Sequence, residues 1–146
     1  MADEHPFASY NFQVTIDGLQ IQAGFSEVSG LTMDNDVIEY RSGKDLPHMR
    51  KQPGMRKFTN IVMKRGFTTD KALYDWRKMV IDSDKPYRYS GSITLLGEDR
   101  KPALTWSFTN GWPNKLEGPS LNAKNSEVAI ETLEIVVETL EFKPEG

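Results

Sequence analysis

The chain carries few residues that could do acid–base or metal chemistry. There are two histidines, His5 and His48, and no cysteine. Neither histidine has a second His or a Cys at ligand spacing, so the sequence assembles no zinc-type constellation. Asp34-Asn35-Asp36 resembles a fragment of a calcium loop. The glycine and the distal glutamate such a loop needs do not follow, and a polar turn is the plainer reading. Acid pairs such as Glu98–Asp99 sit in an apparent turn as solvated charge. Carboxylates paired for hydrolysis through tertiary proximity stay open at this level. No glycine-rich loop follows a strand and opens a helix, so no phosphate cradle is visible. Trp76, Trp106 and Trp112 read first as core, because large aromatics dominate apolar burial. Two basic pairs, Arg50-Lys51 and Arg56-Lys57, lie among Met and Pro, which fits a protein contact better than a nucleic-acid patch. We expect no catalytic residue, no cofactor and no metal, and therefore not an enzyme.

Composition bounds the remaining classes. The 146 residues suffice for one domain, 1–146, with a substantial core, and 38% hydrophobic with 27% charged is ordinary for a globular protein. A net charge of −3 is too small to name nucleic acid or an anionic membrane as the main partner. Without cysteine, folding needs no oxidising compartment. The first ten residues, MADEHPFASY, lack a basic n-region and an apolar h-region, so no secretory signal peptide is expected. No apolar run approaches the roughly 20 residues that span a bilayer, so no membrane insertion is expected either.

The elements follow from periodicity. Phe12, Val14 and Ile16 alternate with polar residues as a half-buried strand. Asp17-Gly18 predicts a two-residue hairpin turn, with Leu19 and Ile21 on the return strand. The polar positions here are mostly neutral amides, which protect a strand edge poorly. Residues 25–30 read as a turn, and 37–41 and 58–64 as strands. One helix is expected over 72–80. Leu73, Trp76 and Val80 form its scaffold-packing stripe, Asp75, Arg77 and Lys78 its wet side, and Thr69 or Asp70 its cap. Tyr87–Leu96 and Leu104–Phe108 alternate around the polar turn 97–102 as a hairpin, broken at Gly111-Trp112-Pro113.

Two stretches resist simple reading. Residues 42–57 hold two Gly and two Pro and nothing periodic; so long a loop within a compact domain is usually functional or disordered. Its Leu46, Met49 and Met55 argue against a mere linker. Residues 126–142, SEVAIETLEIVVETLEF, suit two structures. Ile130, Leu133, Val137 and Leu140 have helical spacing, whereas the β-branched content and broken alternation suit a strand. We read one long strand, bulged near Glu131–Thr132 to switch parity. The sum is a mainly β (α+β) fold, a small barrel or sandwich of seven or eight strands with one flanking helix.

The chain resembles the tail-tube proteins of phages with T4-like contractile tails and the inner-tube proteins of related contractile injection systems. The pieces that carry the resemblance are GFSEVSGL (24–31), VIEYRSG (37–43), KFTNIVMKRG (57–66), LYDWRK (73–78), WSFTNGWPNKLEGP (106–119) and residues 121–142, in that order. A basic-aromatic pair is expected where Lys115-Leu116 stands. The resemblance implies a fold shared with secreted haemolysin-coregulated tube proteins. It also implies a homohexameric ring that stacks into a hollow tube, made in the bacterial cytoplasm and assembled into a virion tail or injection particle. Implied partners are the chain itself, a sheath protein, baseplate or spike and terminator proteins, and a DNA or protein-effector cargo in the lumen. The alternative is a monomeric β-sandwich that binds carbohydrate or another ligand through its tryptophans.

Within the tube reading, two sets of residues are candidates. Strands around Phe12, Val14 and Ile16 and around Leu133, Ile135 and Val137 are expected to pair between subunits of a ring. The second set rests on charge. Segment 41–57 has six basic residues against Asp45, while segment 126–146 has six acids against Lys143, an asymmetry that suits a head-to-tail contact. Arg41, Lys44, Leu46, Met49, Arg50, Lys51 and Met55 are thus the expected contact between rings.

Overall fold

The computed structural model describes residues 11–41, 43, 47–82, 84–121 and 129–144. Along the chain run β1 (Phe12–Ile16), β2 (Ile21–Phe25), β3 (Glu27–Ser29), β4 (Met33–Tyr40), β5 (Arg50–Phe58), β6 (Ile61–Gly66), α1 (Ala72–Met79), β7 (Tyr89–Leu96), β8 (Pro102–Glu117), β9 (Ile130–Val136) and β10 (Thr139–Lys143). The fold is mainly β with one helix, as expected, but it has more strands than the alternation suggested. The expected turn at 25–30 contains β3, residues 50–57 of the aperiodic 42–57 stretch are in β5, and the described part of 126–142 forms β9 and β10, with 126–128 outside the described residues.

The main strand path is β2-β1-β7-β8-β9-β6-β3, with β10 also on β8, and β4–β5 form a separate two-stranded unit. The path is open rather than a closed barrel. Every pairing in it is antiparallel. Strand β8 belongs to two sheets. Its first part lies between β7 and β10, and its last part, from Trp112, pairs with β9. This explains how a strand survives the expected break at Gly111-Trp112-Pro113. Beyond Gly111 the β7 side of β8 has no partner among the described residues, and a register shift lies between Pro113 and Lys115. Proline lacks an N–H, so it is tolerated at such an edge. The other corner is turned at Ser26, between β2 and β3, whose N–H donates to Lys64 O at 2.9 Å.

β9 and β10 keep one register against β8: Ile135 faces Pro113, Val136 faces Trp112 and Thr139 faces Thr109. The long strand expected for this stretch therefore runs along β8, with an interruption at Val137–Glu138. The parity switch lies there too, not at Glu131–Thr132. Glu131, Leu133, Ile135 and Val137 are buried on one parity and Leu140 on the other, while Ile130 is 46% exposed. The register shift sits on the partner strand.

One core fills the space between the sheets. It contains Val14, Ile16, Phe25, Ile93 and Phe108 from one and Ile61, Met63, Leu133 and Ile135 from the other, with Leu73 and Trp76 from α1. Phe108 is gripped by two glycines. A Cβ on Gly91 would fall 2.3 Å from Thr15 O and 2.7 Å from Phe108 Cζ, and one on Gly111 would fall 2.6 Å from Phe108 Cε1. The outward face of the β2-β1-β7-β8-β10 sheet is nearly uncharged. Register aligns Gln22, Thr15, Ser92, Ser107 and Glu141 in one row.

The hairpin between β1 and β2 differs from the two-residue turn expected. Ile16 pairs with Ile21, leaving residues 17–20 as the loop, with positive φ at Gly18 and Gln20. Helix α1 ends one residue short of the expected span. Lys71 is its N-cap without a side-chain hydrogen bond, and Asp70 Oδ1 accepts from Ala72 N–H at 3.0 Å.

Candidate functional site

The unit that stands apart is the arm, β4 paired with β5. All eight residues of β4 are exposed, and in β5 only Gly54 and Phe58 are partly covered. Its apolar side chains include Met33 (54% exposed), Val37 (62%), Ile38 (45%), Tyr40 (40%) and Met55 (74%). A lone two-stranded hairpin is marginal in water. What holds it within the chain is the ladder and its charges. Asp34 faces Lys57 and Glu39 faces Lys51 across the strands, and Lys57 Nζ lies 2.6 Å from Asp36 Oδ1. The hydrogen bond and then the charge of Asp36 raise the Lys57 ammonium above its ordinary pKa.

The residues expected between rings fall on this arm as far as the described residues go. Arg41, Arg50 and Lys51 are exposed at its far end, with Met49 43% exposed beside them. Met55 projects from the half nearer the body. Lys44 and Leu46 lie outside the described residues. Residues 50–57 are thus a strand of an exposed ribbon rather than part of a loop. Its missing periodicity has a physical cause: no face of it is buried against the chain, so no alternation was required.

The residues expected to pair within a ring are placed differently. β1 lies between β2 and β7, and β9 between β6 and β8. Both ladders of each strand are satisfied inside the chain. Val14, Ile16, Leu133, Ile135 and Val137 are buried and Phe12 packs against the core, so these six are core positions and offer no edge to a neighbour. Among the described residues, the strands with a partner on one side only are β2, β3 and β10, besides the arm.

At the foot of the arm a cleft of about 520 Å³ opens between β5 and the start of β10, lined by Met55, Arg56, Phe58, Glu138, Thr139, Leu140 and Glu141. Asn110 Nδ2 donates to Glu138 Oε1 at 2.9 Å and holds that carboxylate in place.

Helix α1 packs against the core through two buried side chains. Leu73 and Trp76 are buried at 2% and 1%, and Trp76 Nε1 donates to Tyr87 O at 2.8 Å. Val80, the C-cap, is only half-buried. Trp106 packs on Phe142 with centroids 5.2 Å apart, and Trp112 meets Tyr87 edge-on at 6.0 Å. No tryptophan is presented as an open platform.

One polar pair escaped the sequence reading. Arg65 Nε lies 2.8 Å from Glu131 Oε2, with side chains 10% and 8% exposed. The guanidinium also stands 5.3 Å from the Phe25 ring. The signal was present, since Glu131 shares parity with Leu133, Ile135 and Val137. On the outward side, Glu134 Oε2 accepts from Asn60 Nδ2 at 2.7 Å and Asn114 Nδ2 at 3.1 Å. Among the described residues no group of three or more His, Cys, Asp or Glu could hold a metal ion, and no helix is long and apolar enough to cross a membrane.

Known proteins share this arrangement. The family model of the T4-like virus tail tube protein gp19 matches residues 8–141. Among solved structures, a chain of the PVC extracellular contractile injection system, in its extended sheath-tube complex, superposes with a TM-score of 0.74. It is 27% identical, over 97% of this chain and 93% of that one. A chain of the anti-feeding prophage cap, described as AFP tube terminating cap, is 28% identical over 99% of this chain and 95% of that one, also at 0.74. Hcp1 from Flavobacterium johnsoniae shares the fold at 15% identity and a TM-score of 0.56, over 92% and 96% of the two chains. No curated protein matches the sequence.

Proposed function

Because the chain belongs to the T4-like virus tail tube protein family, we propose that it is a structural, non-enzymatic subunit whose homohexameric rings stack into the hollow inner tube of a contractile tail or injection particle. The observation that carries this reading is the arm. A two-stranded ribbon with apolar side chains on view and basic residues at its end needs a partner surface, and a second copy supplies one. The open edges of β2 and β3 are the backbone left for a neighbour within a ring, where pairing would remove exposed ladder groups. The lumen would pass DNA or a protein effector. Sheath, terminator and baseplate or spike proteins are the further partners. Support for the first two is that similar chains come from a sheath-tube complex and a tube terminating cap.

The reading of the chain as a monomeric sandwich that binds ligands through tryptophans is disfavoured by Trp76, which is buried with its N–H spent on Tyr87 O. Mass measurement in solution with negative-stain imaging decides between the two. Rings or tubes are expected. A stable 16.6 kDa monomer at all concentrations would overturn the assembly reading.

A further inference from the structure

We propose that the cleft at the foot of the arm is the receptor for the arm tip of a second copy of this chain. The inference rests on the tube reading and adds where the arm goes. Three observations meet in this cleft. Its apolar floor, Met55, Phe58 and Leu140, is flanked by Glu138 and Glu141 against the single base Arg56. The described residues of the tip carry Arg41, Arg50 and Lys51 against Glu39, so the two ends of the arm are complementary in charge. The cleft also adjoins β10, which among the described residues pairs only with β8.

A chain cannot satisfy itself in this way. Nine-residue β5 spans about 30 Å at roughly 3.3 Å per residue, so tip and foot of one arm stay apart. The tip reaches the foot of another copy, whose own tip is displaced onward by the same step. A contact between two different surfaces stays open when its rotation does not close a ring, which is the geometry of stacking. In the docked arrangement Arg50 and Lys51 meet Glu138 and Glu141, and Met49 lies over Leu140. The hydrogen bond from Asn110 fixes the Glu138 carboxylate toward this contact before the partner arrives.

The chain has no cysteine, which makes a clean cross-linking test. Met49→Cys is made in one preparation and Thr139→Cys in another carrying a size tag. The two are mixed, assembled and oxidised. A disulfide-linked heterodimer of the two sizes is expected in the assembled fraction and absent from dispersed protein. Tubes that form with homodimers only, or with no covalent dimer, would place the tip elsewhere and overturn the proposal while the tube reading stands. Failure of the unaltered chain to form rings or tubes would instead remove the tube reading and this inference with it. A second measurement uses charge. Glu138→Lys with Glu141→Lys is expected to leave rings but abolish tubes, and adding Arg50→Glu and Lys51→Glu to the same chain is expected to restore them. Tubes of normal length in the cleft variant alone would refute the pairing.

Discussion

Asn110 and Glu138 face each other where both long strands change sides. Asn110 has a positive φ of 49° and donates to Glu138 Oε1 at 2.9 Å. On β8 the buried positions pass from Phe108 to Gly111 across it. On the partner they pass from Val137 to Leu140 across Glu138. The two strands thus turn their faces together, and the pair marks the corner between the sheets. Asparagine tolerates left-handed backbone, whereas a β-branched residue does not. Asn110→Val is expected to destabilise by about 1–3 kcal/mol, and Asn110→Gly by less than Asn110→Val. Urea unfolding of both variants checks the order; equal losses would show that backbone strain is not the cause.

The grip on Phe108 predicts an asymmetry between its two glycines. Gly111→Ala collides with the ring alone, apart from closer packing on Ile135, whereas Gly91→Ala also meets the backbone oxygen of Thr15. Both are overpacked, at about 1–3 kcal/mol or more. Phe108→Leu is expected to recover part of the loss in Gly111→Ala and little in Gly91→Ala. Thermal melts of the four variants test this.

Trp76 joins helix to sheets by its apolar bulk and its hydrogen bond to Tyr87 O. Trp76→Ala is expected to cost about 3–5 kcal/mol. Trp76→Phe keeps much of the bulk and strands the carbonyl, a smaller loss of about 1–3 kcal/mol. A soluble Trp76→Ala variant with an unchanged melting temperature would contradict the scaffold role.

The Arg65–Glu131 pair predicts strong non-additivity. Glu131→Leu leaves a buried guanidinium without its carboxylate and is expected to cost about 3–5 kcal/mol. Arg65→Met with Glu131→Leu removes both charges and is expected to be less harmful than Glu131→Leu alone. A double-mutant cycle in denaturant measures the coupling, and simple additivity would deny it.

Charge reversal at Arg50 and Lys51 is expected to leave rings intact while shortening or abolishing tubes. Exposed ion pairs contribute only about 0–1 kcal/mol each, but repetition around a ring multiplies them and brings salt dependence. Electron microscopy of this double variant at low and moderate salt is the check. Normal tubes in both conditions would remove the electrostatic part of the contact, and loss of rings would place the arm within a ring.

Much of the fold was legible because burial leaves a period. β1, β7 and the first part of β8 alternate, and each has one face in the core. Helix α1 showed itself through Leu73 and Trp76. The arm was illegible for the opposite reason: with both faces exposed, Val37 and Ile38 can sit side by side, as can Arg50 and Lys51. Residues 126–142 misled in a more specific way. A parity switch belongs in this stretch, but local pattern put it at Glu131–Thr132, since an acid at a core position looks like an outward turn of the strand. Its partner Arg65 is 66 positions away and no short window contains both. Alternation reports a buried face and not a free edge: β1 and β9 alternate with neighbours on both sides, and β2 alternates at an edge of the path.

Because β8 and the β9–β10 strand run through both sheets, the sheets are not two leaves held only by an apolar filling. Prising them apart would have to break backbone hydrogen bonds on both sides of the corner, such as Glu138 N–H to Thr109 O at 3.0 Å, not merely admit water between greasy faces. The subunit therefore resists peeling as a woven joint does, and a load applied to one sheet is shared by the other through covalent chain.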